Sequence, residues 1–188
     1  MTINSFRRRR QPLSKAICSK IINKELTMNL IVVVDNKWGI GKNNNLLFTL
    51  KKDMAFFRQT TTGKVVVMGA KTFLTFPNGA LPNRTNIVLD HQGNKYDGAT
   101  TVTTVEALFD LLQNYNTCDI FVIGGATVYK LLLDHCQTAY ITKVQADGDA
   151  EVFFPNLDDM PNWQLVESGE DIQDGDYTIN FCKYVQAK

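Results

Sequence analysis

Apolar and polar positions alternate in blocks along this chain, and the blocks switch between two periods. Leu30–Val34 is a continuous apolar run, the pattern of a strand covered on both faces. Residues 35–50 hold Gly39, Gly41 and three consecutive Asn, and read as a long loop. Lys51–Thr60 has a helical pattern. Val65-Val66-Val67-Met68-Gly69 is a second buried strand, followed by a short helix to about Phe76. Pro77, Gly79 and Pro82 mark a loop. Asn86–Leu89 and Thr100–Val102 read as strands. Thr103 and Glu106 have capping-box spacing and open a helix to Gln113. Ile120–Ile123 is a strand ending in Gly124-Gly125, with a helix to about Leu133 and a strand over Ala139–Val144. Trp163–Ser168 and Tyr177–Val185 read as a closing antiparallel pair, with Asp174-Gly175 near the turn. Strand and helix alternate through most of this order. The pattern predicts an α/β fold: a single domain with a central, mostly parallel twisted sheet flanked by helices and a C-terminal antiparallel strand pair.

Composition narrows the function classes. The chain has 188 residues, 44% apolar and 21% charged, enough for one sizeable core. No run approaches the roughly 20 apolar residues of a membrane span. The cysteines at 18, 118, 136 and 182 form no CxxC pair, and the two histidines, His91 and His135, lie far apart. The expectation is reduced thiols in a cytoplasm, with neither a metal site nor a disulfide framework.

The net charge of +1 hides an asymmetry: residues 1–27 carry seven Lys and Arg against Glu25 alone, which leaves −5 for residues 28–188. A mildly acidic body is poorly suited to nucleic acid. Residues 1–27 are read as a basic extension outside the domain at 28–188. Three origins stay open for it: a transit-type peptide, a basic arm, or residues ahead of a start at Met28. Lys24-Glu25 can be encoded as a ribosome-binding sequence before that Met. No fixed fold is expected before about residue 28.

Two places carry candidate chemistry. On the Lys51–Thr60 helix, Asp53 and Phe57 share a face that Met54 and Phe56 flank. A carboxylate among such neighbours is desolvated, which raises its pKa and suits a residue that holds or relays a proton. The alternative is an ordinary first-turn Asp favoured by the helix dipole. The second place is Val122 to Tyr129, where a strand ends in Gly124-Gly125 and a helix begins. Val67 to Thr72 repeats the layout, with Lys71 and Thr72 able to reach an anion. Two such turns in one parallel sheet point to a phosphate-bearing ligand across the carboxyl ends of the strands. Each alone is also compatible with a plain tight turn.

Read in order, these residues resemble the dihydrofolate reductase family. Gly39-Ile40-Gly41 through Leu46 is similar to its G-I-G-x-x-x-x-L segment, and Leu50 to Phe57 to its L-x-x-D-x-x-x-F signature. Val67 to Phe73 matches V-M-G-x-x-T-[WYF], Leu81 to Asn86 matches L-P-x-R-x-N, and Ile123 to Tyr129 matches I-G-G-x-x-x-Y. Thr142 lies in the usual strand and Phe154-Pro155 is the late F-P.

The resemblance implies NADPH-dependent reduction of 7,8-dihydrofolate, by hydride transfer to C6 with protonation at N5, in the service of one-carbon metabolism. Asp53 would bind the pterin's amino group and N3 and favour protonation at N5, supported by Thr142. Ile31, Met54, Phe57 and Leu81 would pack on the substrate's rings, with Val32, Val33, Ile123 and Tyr129 completing that side. Arg84 would pair with the glutamate α-carboxylate. For the cofactor, backbone groups of Val33 and Ile40 would hold the carboxamide, beside Gly41 and Leu46. Gly69, Lys71, Thr72, Gly124, Gly125, Ala126, Thr127 and Val128 would hold the pyrophosphate and its surroundings, Ala70 would lie beside the adenosine, and Leu89, Asp90, His91, Ile123 and Tyr129 would also contact the cofactor. The peptide between Gly124 and Gly125 would be cis. The implied protein is a cytoplasmic monomer that takes dihydrofolate and antifolate-type molecules, and neither nucleic acid nor membrane.

Three departures bear on this reading. Leu47-Phe48 stands where the family has Pro-Trp, which bears on turnover rate. Ala70 occupies a position that is often Arg. Asp90 replaces the Ser or Thr facing the 2′-phosphate; an acid there would repel that phosphate and fits the ribose hydroxyl of NADH better, with Lys71 and His91 able to compensate, and NADPH is expected over NADH. A riboflavin-pathway reductase shares the fold but lacks the combination of Asp53, Phe57 and Arg84. A non-catalytic pterin-binding module would be argued from Leu47-Phe48, and opposed by the retained Asp53.

Overall fold

The run Met28–Val34 forms β1, near the middle of a nine-stranded sheet. The computed structural model describes residues 26–187, so the expectations for residues 1–25 lie outside the described residues. Leu26 already packs against the core. Next in the chain come β2 (Gly39–Gly41), α1 (Lys51–Thr61), β3 (Val65–Gly69), α2 (Ala70–Leu74), β4 (Thr85–Leu89) and β5 (Ala99–Val102). They are followed by α3 (Val105–Leu112), β6 (Ile120–Gly124), α4 (Ala126–Leu132), β7 (Cys136–Val144) and β8 (Val152–Phe153). The chain closes with β9 (Trp163–Ser168), β10 (Ile172–Asp174) and β11 (Tyr177–Gln186).

The sheet order is β10-β11-β7-β1-β6-β3-β4-β5, with β9 also on β11. From β7 to β5 every pairing is parallel, and β11 joins β7 antiparallel. This is the expected architecture, with two additions. The stretch read as a long loop contains β2, which pairs with β8 as a separate two-stranded sheet. The turn at Asp174-Gly175 belongs to an unexpected hairpin, β10–β11, in which Asp174 faces Tyr177. Gly175 supplies the left-handed φ of +63° that this two-residue turn requires. These extra strands have two or three residues, too few for a period to show.

One helix boundary also differs. Thr104, not Thr103, caps α3, accepting the N–H of Ala107 at 3.1 Å. Adjacent threonines offer two registers, and the cap falls one residue later than the Glu106 spacing indicates.

The period of two sorts the strands into two faces. Leu30, Val32, Val65, Val67, Ile120, Val122, Ala139 and Ile141 point into one large cluster, closed by Leu108 and Leu112 of α3 and Val128 and Leu132 of α4. The other face is covered in two separate pieces. Val66, Met68 and Val88 pack with Phe73 of α2, and Leu50, Val144 and Ile179 pack with Val33 and Phe48. Ile31, Thr142 and Asp53 belong to neither piece.

Candidate active site

Asp53 stands outside both pieces. Thr142 is fully buried on β7, beside Val33 of β1 in the parallel register, and its hydroxyl donates to Asp53 Oδ1 at 2.7 Å. A hydrogen bond to a charged acceptor contributes about 1.5–3 kcal/mol. Burial raises the Asp53 pKa, the Thr142 hydrogen bond opposes the rise, and the nearby negative charge of Asp174 adds to it. The desolvated acid anticipated from the helix pattern is present.

The N-terminus of α1 is capped from outside the helix. Leu50, at the cap position, has no side chain able to accept a hydrogen bond. The Asp174 carboxylate, reaching in from β10 and 4% exposed, accepts from the N–H groups of Lys51 at 3.0 Å, Lys52 at 2.6 Å and Asp53 at 3.3 Å. Sequence reading placed Asp174 only near a turn.

The walls of the cleft differ in part from expectation. Phe57 lies under Arg84, whose guanidinium carbon is 6.0 Å from the ring centroid. Met54 is 54% exposed and forms an apolar outer wall. Phe56, at the edge of that face, packs on Phe181, the cross-strand neighbour of Thr142, with ring centroids 4.6 Å apart. Val32 turns its side chain into the core on the opposite face, so only its backbone borders the site. Ile31, Val33, Ile123 and Thr142 share the site face by parity.

Arg84 is held in place. Its Nε donates to Pro82 O and its Nη1 to Thr61 Oγ1, both at 3.0 Å. Asn86, buried at 3% exposure, ties the turn from Leu81 to Arg84 by accepting from Leu81 N and donating to both of their carbonyls. Desolvation and the charge of Arg58 each disfavour the Arg84 cation, a pairing of two cations that an anionic group would relieve. Arg58 was not singled out from the sequence, where an exposed helix Arg carries no distinguishing signal.

The two glycine turns meet face to face. A Cβ on Gly69 would stand 3.1 Å from Val128 Cγ2, and one on Gly125 would stand 3.1 Å from Thr72 Oγ1. Each turn thus fills the space that a side chain on the other would need. Gly124 has φ +114°, open only to glycine, and the Gly124–Gly125 peptide is cis, as the resemblance implies. Tyr129 packs beneath Gly124 and donates to Ile31 O at 2.7 Å, tying α4 to β1. Tyr129 and Val128 are core residues, whereas Lys71 and Thr127 are exposed beside the turns. Lys71 and Thr72 flank the interlocked turns on one side, and Ala126 and Thr127 on the other.

Asp90 corrects an expectation. Its carboxylate is not presented as a free charge: it is 5% exposed and accepts from Gln92 N at 3.0 Å, Asn94 N at 3.3 Å, Asn94 Nδ2 at 2.8 Å and the Tyr96 hydroxyl at 2.9 Å. The Gln92 N–H, followed by the Asn94 and Tyr96 donors, holds its pKa below the usual range. Asp90 shapes the loop after Leu89, and His91 stands exposed next to it.

The loop at 35–50 is anchored at both ends. Asp35, 3% exposed, accepts from Lys37 N, Gly39 N and Gly148 N. A Cβ on Gly148 would clash with Leu47 at 2.7 Å, and Phe48 sets its ring edge-on to Tyr177 at 4.8 Å between centroids. The departing pair Leu47-Phe48 is therefore a packed contact, while Leu46 is 78% exposed and Ile40 half-buried. A separate cleft of about 290 Å³ at Asp35, Trp38, Lys143 and Asn180 contains no residue of this site.

A parallel sheet with two glycine turns at its carboxyl edge is an architecture of nucleotide-dependent α/β enzymes. The family model described as dihydrofolate reductase matches residues 27–186. The chain is 37% identical over 142 residues to a dihydrofolate reductase of Haemophilus influenzae, covering 76% of this chain and 84% of that one. It is 33% identical over 160 residues to that of Bacillus subtilis, covering 84% and 93%. Among solved structures, a dihydrofolate reductase from Enterococcus faecalis complexed with NADP(H) and RAB-propyl superposes with a TM-score of 0.77 at 28% identity, covering 87% of this chain and 98% of that one. The chain belongs to the dihydrofolate reductase family.

Proposed function

We infer that this chain reduces 7,8-dihydrofolate to 5,6,7,8-tetrahydrofolate at the expense of NADPH. It is thus an oxidoreductase acting on a CH–NH bond. The observation that carries the reading is the buried Asp53–Thr142 pair, together with the interlocked glycine turns.

NADPH, when bound, supplies the hydride for C6 of the substrate. The chain's own residues supply alignment and electrostatics. Asp53 Oδ1 and Oδ2 are acceptors for an amino group and an adjacent ring N–H, the donor pair that a pterin offers. Thr142 takes one lone pair of Oδ1 and leaves the second, with those of Oδ2, for the ligand. A carboxylate in a desolvated position raises the proton affinity of a basic nitrogen in the same cleft, which favours protonation at N5. Ile31, Met54, Phe57 and Leu81 exclude water from the rings, and Arg84 receives the glutamate α-carboxylate with the charge of Arg58 nearby. Antifolates that present an amino group beside a ring N–H would use the same Asp53 oxygens.

Gly69, Thr72, Gly124 and Gly125 would accept the pyrophosphate, and Lys71 and His91 the adenosine end. Cys118, Cys136 and Cys182 are free thiols, which fits the reducing cytoplasm proposed for this protein. Among the described residues no helix is long and apolar enough to cross a membrane. The acidic body supports a reading without nucleic acid, and the protein is taken to act as a monomer. The direct test is loss of absorbance at 340 nm with dihydrofolate and each of NADPH and NADH. The reading requires turnover, with NADPH preferred; absence of turnover with both would refute it.

A further inference from the structure

The loop before α1 and the helix itself are gripped by the same hairpin. Tyr177, the first residue of β11, holds Phe48 two residues before Leu50. Its cross-strand partner Asp174 caps the three residues after Leu50. The last of these capped residues is Asp53. A carboxylate that is 4% exposed has thus been placed at the first turn of the helix whose own first-turn carboxylate faces the cleft.

We propose that Asp174 is a positioning residue for the reduction: it fixes the first turn of α1, and its charge sets the protonation behaviour of the Asp53 site. The proposal rests on the reading of Asp53 given above. Two effects follow from the geometry. The three N–H groups that the Asp174 carboxylate accepts are among the four that any helix leaves unpaired at its start. Without an acceptor there, the first turn frays, and the turn that frays carries Asp53. Second, the Asp174 charge cancels part of the positive end of the α1 dipole, which would otherwise favour ionisation of Asp53. With Asp174 charged, Asp53 keeps its proton to higher pH, a smaller addition to the rise that burial causes.

Few other groups compete for this control. Thr142 from β7 is a neutral donor. Tyr129 from α4 is held as a phenol by burial, and its hydroxyl is committed to Ile31 O. On α1 itself, Lys51 and Lys52 are exposed. A structural cap alone would require only an acceptor at this position; a charged acceptor next to a second carboxylate does more than a cap needs.

The test separates charge from shape. Asp174→Asn removes the charge and keeps one of the two oxygens that accept N–H groups, the other becoming an amide donor. Asp174→Ala removes both. Single-turnover hydride transfer is measured against pH by stopped flow for the two variants, for Asp53→Asn and for the Asp53→Asn/Asp174→Asn pair, together with thermal midpoints. In Asp174→Asn the fall in rate with rising pH moves to lower pH, while the thermal midpoint falls less than in Asp174→Ala and the dihydrofolate KM stays near wild type. In Asp174→Ala the same shift is accompanied by a loss of rate of roughly ten- to a hundred-fold, the scale of a misplaced reacting group. In the Asp53→Asn background Asp174→Asn leaves the residual profile unmoved. A wild-type pH profile for Asp174→Asn beside an inactive Asp53→Asn overturns the proposal alone, whatever the thermal midpoint does. Wild-type rates in Asp53→Asn would remove the reading of Asp53, and the proposal with it.

Discussion

Thr142 Oγ1 donates to Asp53 Oδ1 across 2.7 Å, from a strand position with 0% exposure. A central strand moves little, so this contact fixes where a helix-borne carboxylate can lie. It also stabilises the ionised form of that carboxylate, against the burial that opposes it. Thr142→Val keeps the shape and removes the donor. Its kcat/KM for dihydrofolate should fall by roughly ten- to a hundred-fold, the rate equivalent of about 1.5–3 kcal/mol. Its pH profile should move upward, opposite to the shift in Asp174→Asn. Steady-state kinetics between pH 5 and 9 checks both.

The upward Asp53 pKa has a consequence for stability whose sign is fixed. Below about pH 4 the carboxyl is protonated in both the folded and unfolded chain, and burial carries no charge penalty. As pH rises through that value the unfolded chain releases its proton while the folded one keeps it, so folded stability falls. Above the folded pKa the whole penalty is present. Asp53→Asn should therefore have a higher thermal midpoint than wild type at neutral pH, and the gain should vanish in acid. Thermal unfolding by circular dichroism at pH 3 and pH 7.5 measures it.

Asp90 and Lys71 should behave differently from each other. The Asp90 carboxylate is taken up by four donors of its own loop. Asp90→Ala should lower the thermal midpoint by a few degrees and leave the ratio of NADPH to NADH efficiency in place. Lys71→Ala should leave the midpoint in place and lower that ratio, because Lys71 is an exposed cation assigned above to the adenosine end, where only NADPH carries a phosphate. Parallel assays with the two cofactors decide the point.

Most of the sheet could be read in advance because buried parallel strands leave unbroken apolar runs, such as Val65–Val67 and Ile120–Ile123. Asp53, Thr142, Arg84 and the two glycine turns were legible because they sit in spaced blocks that follow one another in a specific order. What stayed hidden has no local period. β2 and β8 are too short to alternate. Asp174 lies more than 120 residues from the N–H groups it accepts, so nothing near it in the chain marks it as a cap. Asp90 looked like a charge facing the cofactor because its neighbours Asn94 and Tyr96 are loop residues whose donors turn inward only once the chain is folded. The spacing of four put Phe57 on the Asp53 face, but nothing in the chain marked Phe181 as the partner of Phe56.

The central claim is that Asp53 is the group on which protonation and orientation of the substrate depend. The measurement that tests it most directly is single-turnover hydride transfer by Asp53→Asn, followed by stopped flow at neutral pH, with NADPH and dihydrofolate both saturating. With the fold verified by circular dichroism, the rate is predicted to fall by orders of magnitude and to recover in part as pH is lowered, when the substrate is protonated from solution. A folded Asp53→Asn enzyme transferring hydride at close to the wild-type rate at neutral pH would contradict the account.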